Sequence, residues 1–376
     1  MSAASIDQLD TPCLILDRAV LERNIAAMAT RATRAGIKLR PHLKTAKSAA
    51  IARLASAGTG TGGGITVSTL AEVKYFAANG FTDILYGVGI APGKLDAVAA
   101  LRRQGISLKI VVDSLEAAQA VAQHAARHGG HEVLIEIDCG QHRAGIDAQD
   151  PALLAIATAL GANFAGVMTH AGHSYHCRSV AEIVVIAEQE RQAVVSAAER
   201  LRAAGIACAM VSAGSTPTAV HAANHDGLTE MRPGVYMFND LDQIGIGSCA
   251  AGDLALSVLS SVVGCYPARN QLLVDAGALA LSKDVSAGEF MADAGYGLVL
   301  GNEFGRLRVS DVNQEHGFVS ADAALPFDRL KIGTRLRILP NHACMTAAAY
   351  ERYYVIDSAA IDPRQIVAVW ERINGW

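Results

Sequence analysis

Between residues 36 and 240, short apolar β-forming runs alternate with alanine-rich stretches of helical spacing. The runs are IKLRPHL (37–43), GITVST (64–69), DILYG (83–87), LKIVVD (108–113), EVLIEID (132–138), FAGVMTH (164–170), AMVSAG (209–214) and EMRPGVY (230–236). Helical stretches fall between them at 69–79, 114–128, 152–160, 180–204 and, more briefly, near Ala219. Strand alternating with helix implies parallel pairing through right-handed crossovers. Eight units within about 200 residues predict an α/β fold, a (β/α)8 TIM-type barrel, because eight is the number at which such a sheet closes. From residue 246 the pattern turns to short strands without long helices, including LALSVLSSVVGCY, NQLLVDAGALAL, RLRVSDV, TRLRILPNH and RYYVI. That texture predicts a mainly β domain. The early run TPCLILD (11–17) is strand-like and is assigned to it. The expected division is a barrel over 20–245 and a β domain from 1–19 with 246–376.

Composition narrows the function. The chain has 376 residues, 51% hydrophobic and 18% charged, enough to build large cores. Its net charge is −4 with no block of like charge, which argues against nucleic acid or a membrane surface as partner. The longest apolar stretches, such as Leu254–Val263, fall well short of the roughly 18–20 residues that span a bilayer. MSAASIDQLDTP is not a secretory signal, and seven cysteines without paired spacing suit a reducing compartment. A cytoplasmic enzyme is expected.

In such a barrel the chemistry sits at the carboxyl ends of the strands, where polar and small residues gather here. The first strand runs into Arg40-Pro41-His42-Leu43-Lys44-Thr45. A lysine directed inward there would be desolvated, its pKa lowered and its amine freed for Schiff-base chemistry; the alternative is a rim lysine in a surface ion pair. The fifth strand leads to Gly140-Gln141-His142-Arg143, and the sixth to His170, His173, Tyr175 and His176. The three histidines suit a metal, acid–base work or backbone hydrogen bonding, while Tyr175 suits stacking on a planar cofactor or capping the barrel mouth. Gly214, Ser215 and Thr216 in AGSTPT form a turn whose successive N–H groups could nest an anion, or simply cap a helix. Gly58, Gly60 and Gly63 match a dinucleotide-binding spacing but precede a strand, the wrong context, and read as a loop. His342-Ala343-Cys344, on an extended segment, would point an imidazole and a thiolate to one side, where nitrogen with sulfur favours zinc; the alternative is a buried cysteine that simply packs beside a histidine.

Together RPHLKTAKS, GITVSTLAE, IEIDCGQHRAGI, THAGHSY, AGSTPT, EMRPGVYMFND, VDAG, NQEHG and LPNHAC resemble the fold-type III pyridoxal-phosphate enzymes over nearly the whole chain. The likeness is nearest to the D-serine and D-threo-3-hydroxyaspartate dehydratases, with D-threonine aldolases as a sister group. The resemblance implies an alanine-racemase-like barrel with pyridoxal 5'-phosphate at its mouth, held covalently by Lys44. It implies that Gly214, Ser215 and Thr216 bind the phosphate, with Tyr236, and that Arg143, His170 and Tyr175 contact the cofactor. His342 and Cys344 match the dehydratases' metal pair for one divalent ion, zinc before manganese, magnesium or cobalt. The aldolases carry His-x-Asp or His-Cys-Asp-Pro near this place, whereas this chain has HACMT. The implied activity is dehydration of a D-β-hydroxy amino acid to a 2-oxo acid and ammonia, with Lys44 as base, in a homodimer. Retro-aldol cleavage and a non-catalytic pyridoxal-phosphate-binding role are the alternatives.

Overall fold

The computed structural model describes residues 5–57, 64–301 and 303–376; Gly58, Gly60 and Gly63 lie outside them. The chain divides into two compact units, Ala26–Gly234 with the last two residues, and residues up to Ile25 with Val235–Asn374.

The first unit holds eight parallel strands: Lys38–Leu39, Ile65–Val67, Asp83–Gly89, Ser107–Val112, Glu132–Glu136, Phe164–Met168, Met210–Ala213 and Glu230–Met231. Each falls within or overlaps one of the eight runs expected from the sequence. The last strand lies between the first and the seventh, and the order then runs back to Ile65–Val67. Just past the first strand His42 bridges Thr66, with Leu43 N–H donating to the Thr66 carbonyl at 2.8 Å. That seam joins the two ends of the curled sheet. The first and eighth strands stop after two residues because each runs into Arg-Pro, at Arg40-Pro41 and Arg232-Pro233; proline has no N–H to continue a ladder. The middle strands bury Ile84, Leu85, Leu108, Ile110, Val133 and Ile135 completely, as parallel strands covered on both faces must. Thr69, Ser114 and Ser179 cap the helices Leu70–Ala78, Leu115–His128 and Val180–Ala203 by accepting from a first-turn amide.

One end of this barrel is filled by charge. Asp83, Glu132 and Glu230 are each the first residue of their strand. Arg40 donates from Nε to Glu230 at 2.9 and 3.0 Å and from its two terminal nitrogens to Asp83 at 3.0 and 3.1 Å. Lys109 bonds Asp83 at 2.8 Å and Glu132 at 3.2 Å, and Arg102 bonds Glu132 at 2.8 Å. Burial opposes the Arg40 charge, but Glu230 and Asp83 outweigh it and hold the guanidinium protonated. The packing leaves no room for a side chain at Gly64, where a Cβ would fall 2.2 Å from an Arg40 nitrogen.

The second unit is a nine-stranded, mostly antiparallel sheet. Its spine is Leu256–Tyr266, which pairs with Cys13–Asp17, Gln271–Val274 and Arg335–Leu339. Cys13–Asp17 also pairs in parallel with Arg352–Ile356. One expected strand is only partly present: NQLLVDAGALAL gives a strand at Gln271–Val274, but Ala278–Leu281 coils into a helical turn. Among the described residues no helix is long and apolar enough to cross a membrane.

Cutting the charge network should show its weight. Arg40→Met leaves Glu230 buried without its counter-ion and should lower the unfolding free energy by about 3–5 kcal/mol, measured by urea denaturation. Arg102→Met, at the more open end of the network, should cost clearly less. Asp83 and Glu132 have depressed pKa values, because the hydrogen bonds and charges of their cationic partners overcome burial. Their contribution should be complete at neutral pH and fall away as the pH drops below about 4.

Candidate active site

At the carboxyl ends of the barrel strands lies a cleft of about 300 Å³. Its walls include His42, Lys44 and Thr66 from the seam, Glu136 and Arg143 from the fifth strand and the loop after it, and His170, Gly214 and Arg232 from the last three. Four of the residues singled out in the sequence, Lys44, Arg143, His170 and Gly214, therefore share one cavity.

Lys44 departs from expectation in its setting. The first strand is too short to carry it, so it sits in the turn at 43–46 and is exposed in the cleft rather than desolvated. Its backbone N–H donates to His42 Nδ1 at 3.4 Å. Burial, followed by the charge of Lys44, pushes the imidazoles of His42 and His170 well below their ordinary pKa, so both rings are neutral at neutral pH. Burial pushes the Glu136 carboxyl up, against the pull of Arg143 3.7 Å away. Lys44, Arg143 and Arg232 outnumber this one carboxylate on the walls, which suits an anionic ligand. Thr66 Oγ1 is buried in the same walls without a hydrogen-bond partner, an atom placed for a ligand to satisfy.

The turn at 214–216 is more committed than the sequence implied. Gly214 has φ +105°, and a Cβ there would lie 3.3 Å from Met231 Cβ. Its N–H donates to Glu190 Oε1 at 3.1 Å, and Ser215 N–H donates to Thr218 Oγ1 at 2.9 Å. Two of the three amides expected to nest an anion are thus satisfied inside the protein, since Ser215 and Thr218 form a capping box for the short helix Thr216–His221. Ser215 and Thr216 are buried. Tyr175 is half-buried in the 3-10 turn Gly172–His176 and does not line the cleft; its neighbour Ser174 meets the Ser215 hydroxyl at 2.8 Å. His173 buries both ring nitrogens without a partner, so backbone bonding, one of the sequence alternatives, does not describe it. His176 is exposed.

Glu190 was not legible as a site residue. It lies midway along the helix Val180–Ala203, fully buried, and its Oε1 accepts from both Ala171 N–H at 2.8 Å and Gly214 N–H. Burial raises its pKa. In sequence it looks like any glutamate on an amphipathic helix. Arg232 was also missed, although its place before Pro233 at a strand end marked it; it holds the Ser212 hydroxyl and the Thr169 carbonyl.

In the second unit, Tyr236 is fully buried and burial pushes its phenol up. His342 and Cys344 lie side by side there and hydrogen-bond each other. The segment is not extended throughout: His342 has strand-like angles but caps the helix Ala343–Ala347, which carries Cys344 in its first turn. The helix starts there because Ala343 N–H donates to Asp240 Oδ2 at 2.8 Å and Thr346 N–H to the His342 carbonyl. His342 Nδ1 is 2.8 Å from Asp284 Oδ2, which leaves Nε2 as the nitrogen for a ligand. Burial works against the charged imidazole, but bonds to Asp284 and Cys344 raise it to about 11. Burial raises Asp240 to about 6 and, with the Asp240 charge, Asp242 to about 7.

The chain and its fold correspond to a known class. Residues 16–242 match the family described as alanine racemase, N-terminal domain, and residues 255–356 match a serine dehydratase domain. The chain belongs to the alanine racemase N-terminal domain family, among the fold-type III pyridoxal-phosphate enzymes. It is 46% identical over 380 residues to the D-threo-3-hydroxyaspartate dehydratase of Delftia sp. (strain HT23), covering 98% of each chain. It is 33% identical to the D-serine dehydratase of Dictyostelium discoideum, covering 94% of this chain and 95% of that one. A solved structure of D-threo-3-hydroxyaspartate dehydratase, a cysteine-to-alanine variant in the metal-free form, superposes with a TM-score of 0.94 at 44% identity, covering 99% of this chain and 100% of that one.

The brace at Glu190 can be tested directly. Glu190→Ala orphans two buried amides and should cost about 2–6 kcal/mol in denaturant unfolding. Glu190→Gln keeps an acceptor oxygen and loses the cost of a buried charge, so it should stay near the parent. A Glu190→Gln variant as unstable as Glu190→Ala would show that the charge, and not the acceptor, is what matters.

Proposed function

We propose that the protein is a pyridoxal-phosphate- and divalent-metal-dependent dehydratase of D-β-hydroxy amino acids, yielding a 2-oxo acid and ammonia. The observation that carries this is the near-complete match to a D-threo-3-hydroxyaspartate dehydratase at 46% identity, on a chain that keeps an amine, Lys44, in the cleft and a His-x-Cys pair at 342–344. The cleft fits the cofactor: an accessible amine, an excess of cations for a phosphate and a carboxylate, and the orphaned Thr66 hydroxyl. The donor set at His342 and Cys344 fits a zinc-class ion, with Asp284 fixing the imidazole through Nδ1.

In this reading Lys44 Nζ would hold the cofactor, and its amine would be the base for the substrate Cα proton. Gly214, Ser215 and Thr216 would flank the phosphate, the bare Cα of Gly214 letting the turn pack closely against Met231. Arg143 and Arg232 orient anionic groups, and His42 and His170, being neutral, add hydrogen bonds without competing charge. Pyridoxal phosphate, when bound, supplies the electron sink that acidifies the Cα proton. A divalent ion, when bound, supplies the Lewis acid that makes the β-hydroxyl a better leaving group. His342 Nε2 and Cys344 Sγ would hold that ion, zinc in our assignment.

Supplied with pyridoxal phosphate and zinc, the protein should convert D-threo-3-hydroxyaspartate, D-serine or D-threonine to a 2-oxo acid and ammonia in equal amounts. Glycine and an aldehyde as products would make it an aldolase; no turnover with any of the three would leave only cofactor binding. Borohydride reduction followed by peptide mapping should place the pyridoxyl group on Lys44, and label on Lys47 would refute the assignment. Gly214→Val should weaken cofactor binding by tenfold or more, about 1.4 kcal/mol or above, with far-UV circular dichroism unchanged. Chelation, or Cys344→Ala, should abolish dehydration while cofactor absorbance persists.

A further inference from the structure

On the outer face of the barrel, among residues that do not line the cleft, three potential metal ligands converge. His124 and His128 stand one helical turn apart at the end of Leu115–His128, their rings stacked at 4.4 Å with planes 25° apart. Asp96, in the first turn of the neighbouring helix Leu95–Arg103, reaches His124 Nε2 at 3.0 Å. One ligand atom from each of the three lies within 4.8 Å of the other two, and among the described residues this is the one such group of three. A fourth residue stands behind them. His131 is 3% exposed, its Nε2 lies 3.0 Å from His124 Nδ1, and its own Nδ1 is buried without a partner. Its backbone is pinned by Asn163 Oδ1 at 2.8 Å.

We propose that Asp96, His124 and His128 form a second metal site, for a zinc-class divalent cation, with His131 as the residue that positions His124. Two imidazoles at i and i+4 present their nitrogens on one helix face, the spacing used by helical zinc sites. Two nitrogens and a carboxylate, with water as fourth ligand, make a tetrahedral zinc set; magnesium and calcium demand oxygen donors. The pair sits at the helix carboxyl terminus, where the backbone dipole favours a cation. A ligand histidine needs its other ring nitrogen fixed, and His131 does this for His124 at a distance no exposed partner would hold as firmly. The ion would clamp the helix Leu95–Arg103 to Leu115–His128. This site is independent of the chemistry proposed above, and neither reading depends on the other.

The test uses the full-length protein, free of any affinity tag. Dialysed against zinc and then buffer, the parent should retain two ions per chain, and the His342→Ala, Cys344→Ala double variant one. Adding His128→Ala, an exposed position, should reduce the double variant to none; in the parent background it should leave one ion and full 2-oxo acid formation. In the double variant His131→Leu should weaken zinc affinity by tenfold or more, read by competition with a chromogenic chelator, with the melting temperature in chelator as control for folding. A double variant that retains no zinc, or retention indifferent to His128→Ala, would overturn the site; affinity unchanged by His131→Leu would overturn the role of His131. A parent that lacks the His342–Cys344 ion but keeps one removed by His128→Ala would support this site while refuting the other.

Discussion

Closing eight strands into a ring brings Arg40, Asp83, Arg102, Lys109, Glu132 and Glu230 together at the amino ends of the strands, and the barrel depends on their mutual neutralisation. Three cations face three carboxylates, and each inner member bonds two opposites. Their order follows from strand register: Lys38 opposite Glu230 puts Arg40 next to the eighth strand, and Asp83 opposite Ser107 puts it within reach of Lys109. A slip of one residue would turn the charges carried on strands to the other face of the sheet, parting them from their partners. The network is thus a check on register as much as a source of stability. It also occupies the end of the barrel opposite the cleft, so the ionic groups that brace the ring are not those that face a ligand, whereas His42 and Thr66 of the seam line the cleft.

That division explains what could be read in advance. The eight strands were legible because buried parallel strands need continuous apolar runs, and VLIEI or KIVV can hardly be anything else. The two shortest strands were legible only as regions, since proline cut them to two residues each. The ionic floor was invisible: Asp83, Glu132 and Glu230 at the starts of strands look like solvated ends until closure places Arg40 and Lys109 among them. Lys44 was singled out by its motif, but its exposure follows from the early end of the first strand, a feature of tertiary pairing. The same holds for His342 and Cys344, whose spacing was read as extended although Asp240, a hundred residues earlier, starts a helix at Ala343 that carries Cys344.

Glu190 has a further consequence, for motion. A single carboxylate oxygen receives the amides of Ala171 and Gly214, and the hydroxyls of Ser174 and Ser215 meet alongside. The loops after the sixth and seventh strands therefore cannot open separately without breaking a buried hydrogen bond to that oxygen. Solvent hydrogen should reach both amides through one shared opening event, at one rate, while surface turns a few residues away exchange on their own. Whatever occupies the cleft beside Gly214 would then slow exchange at Ala171 as well, and the two loops would register a ligand as one body.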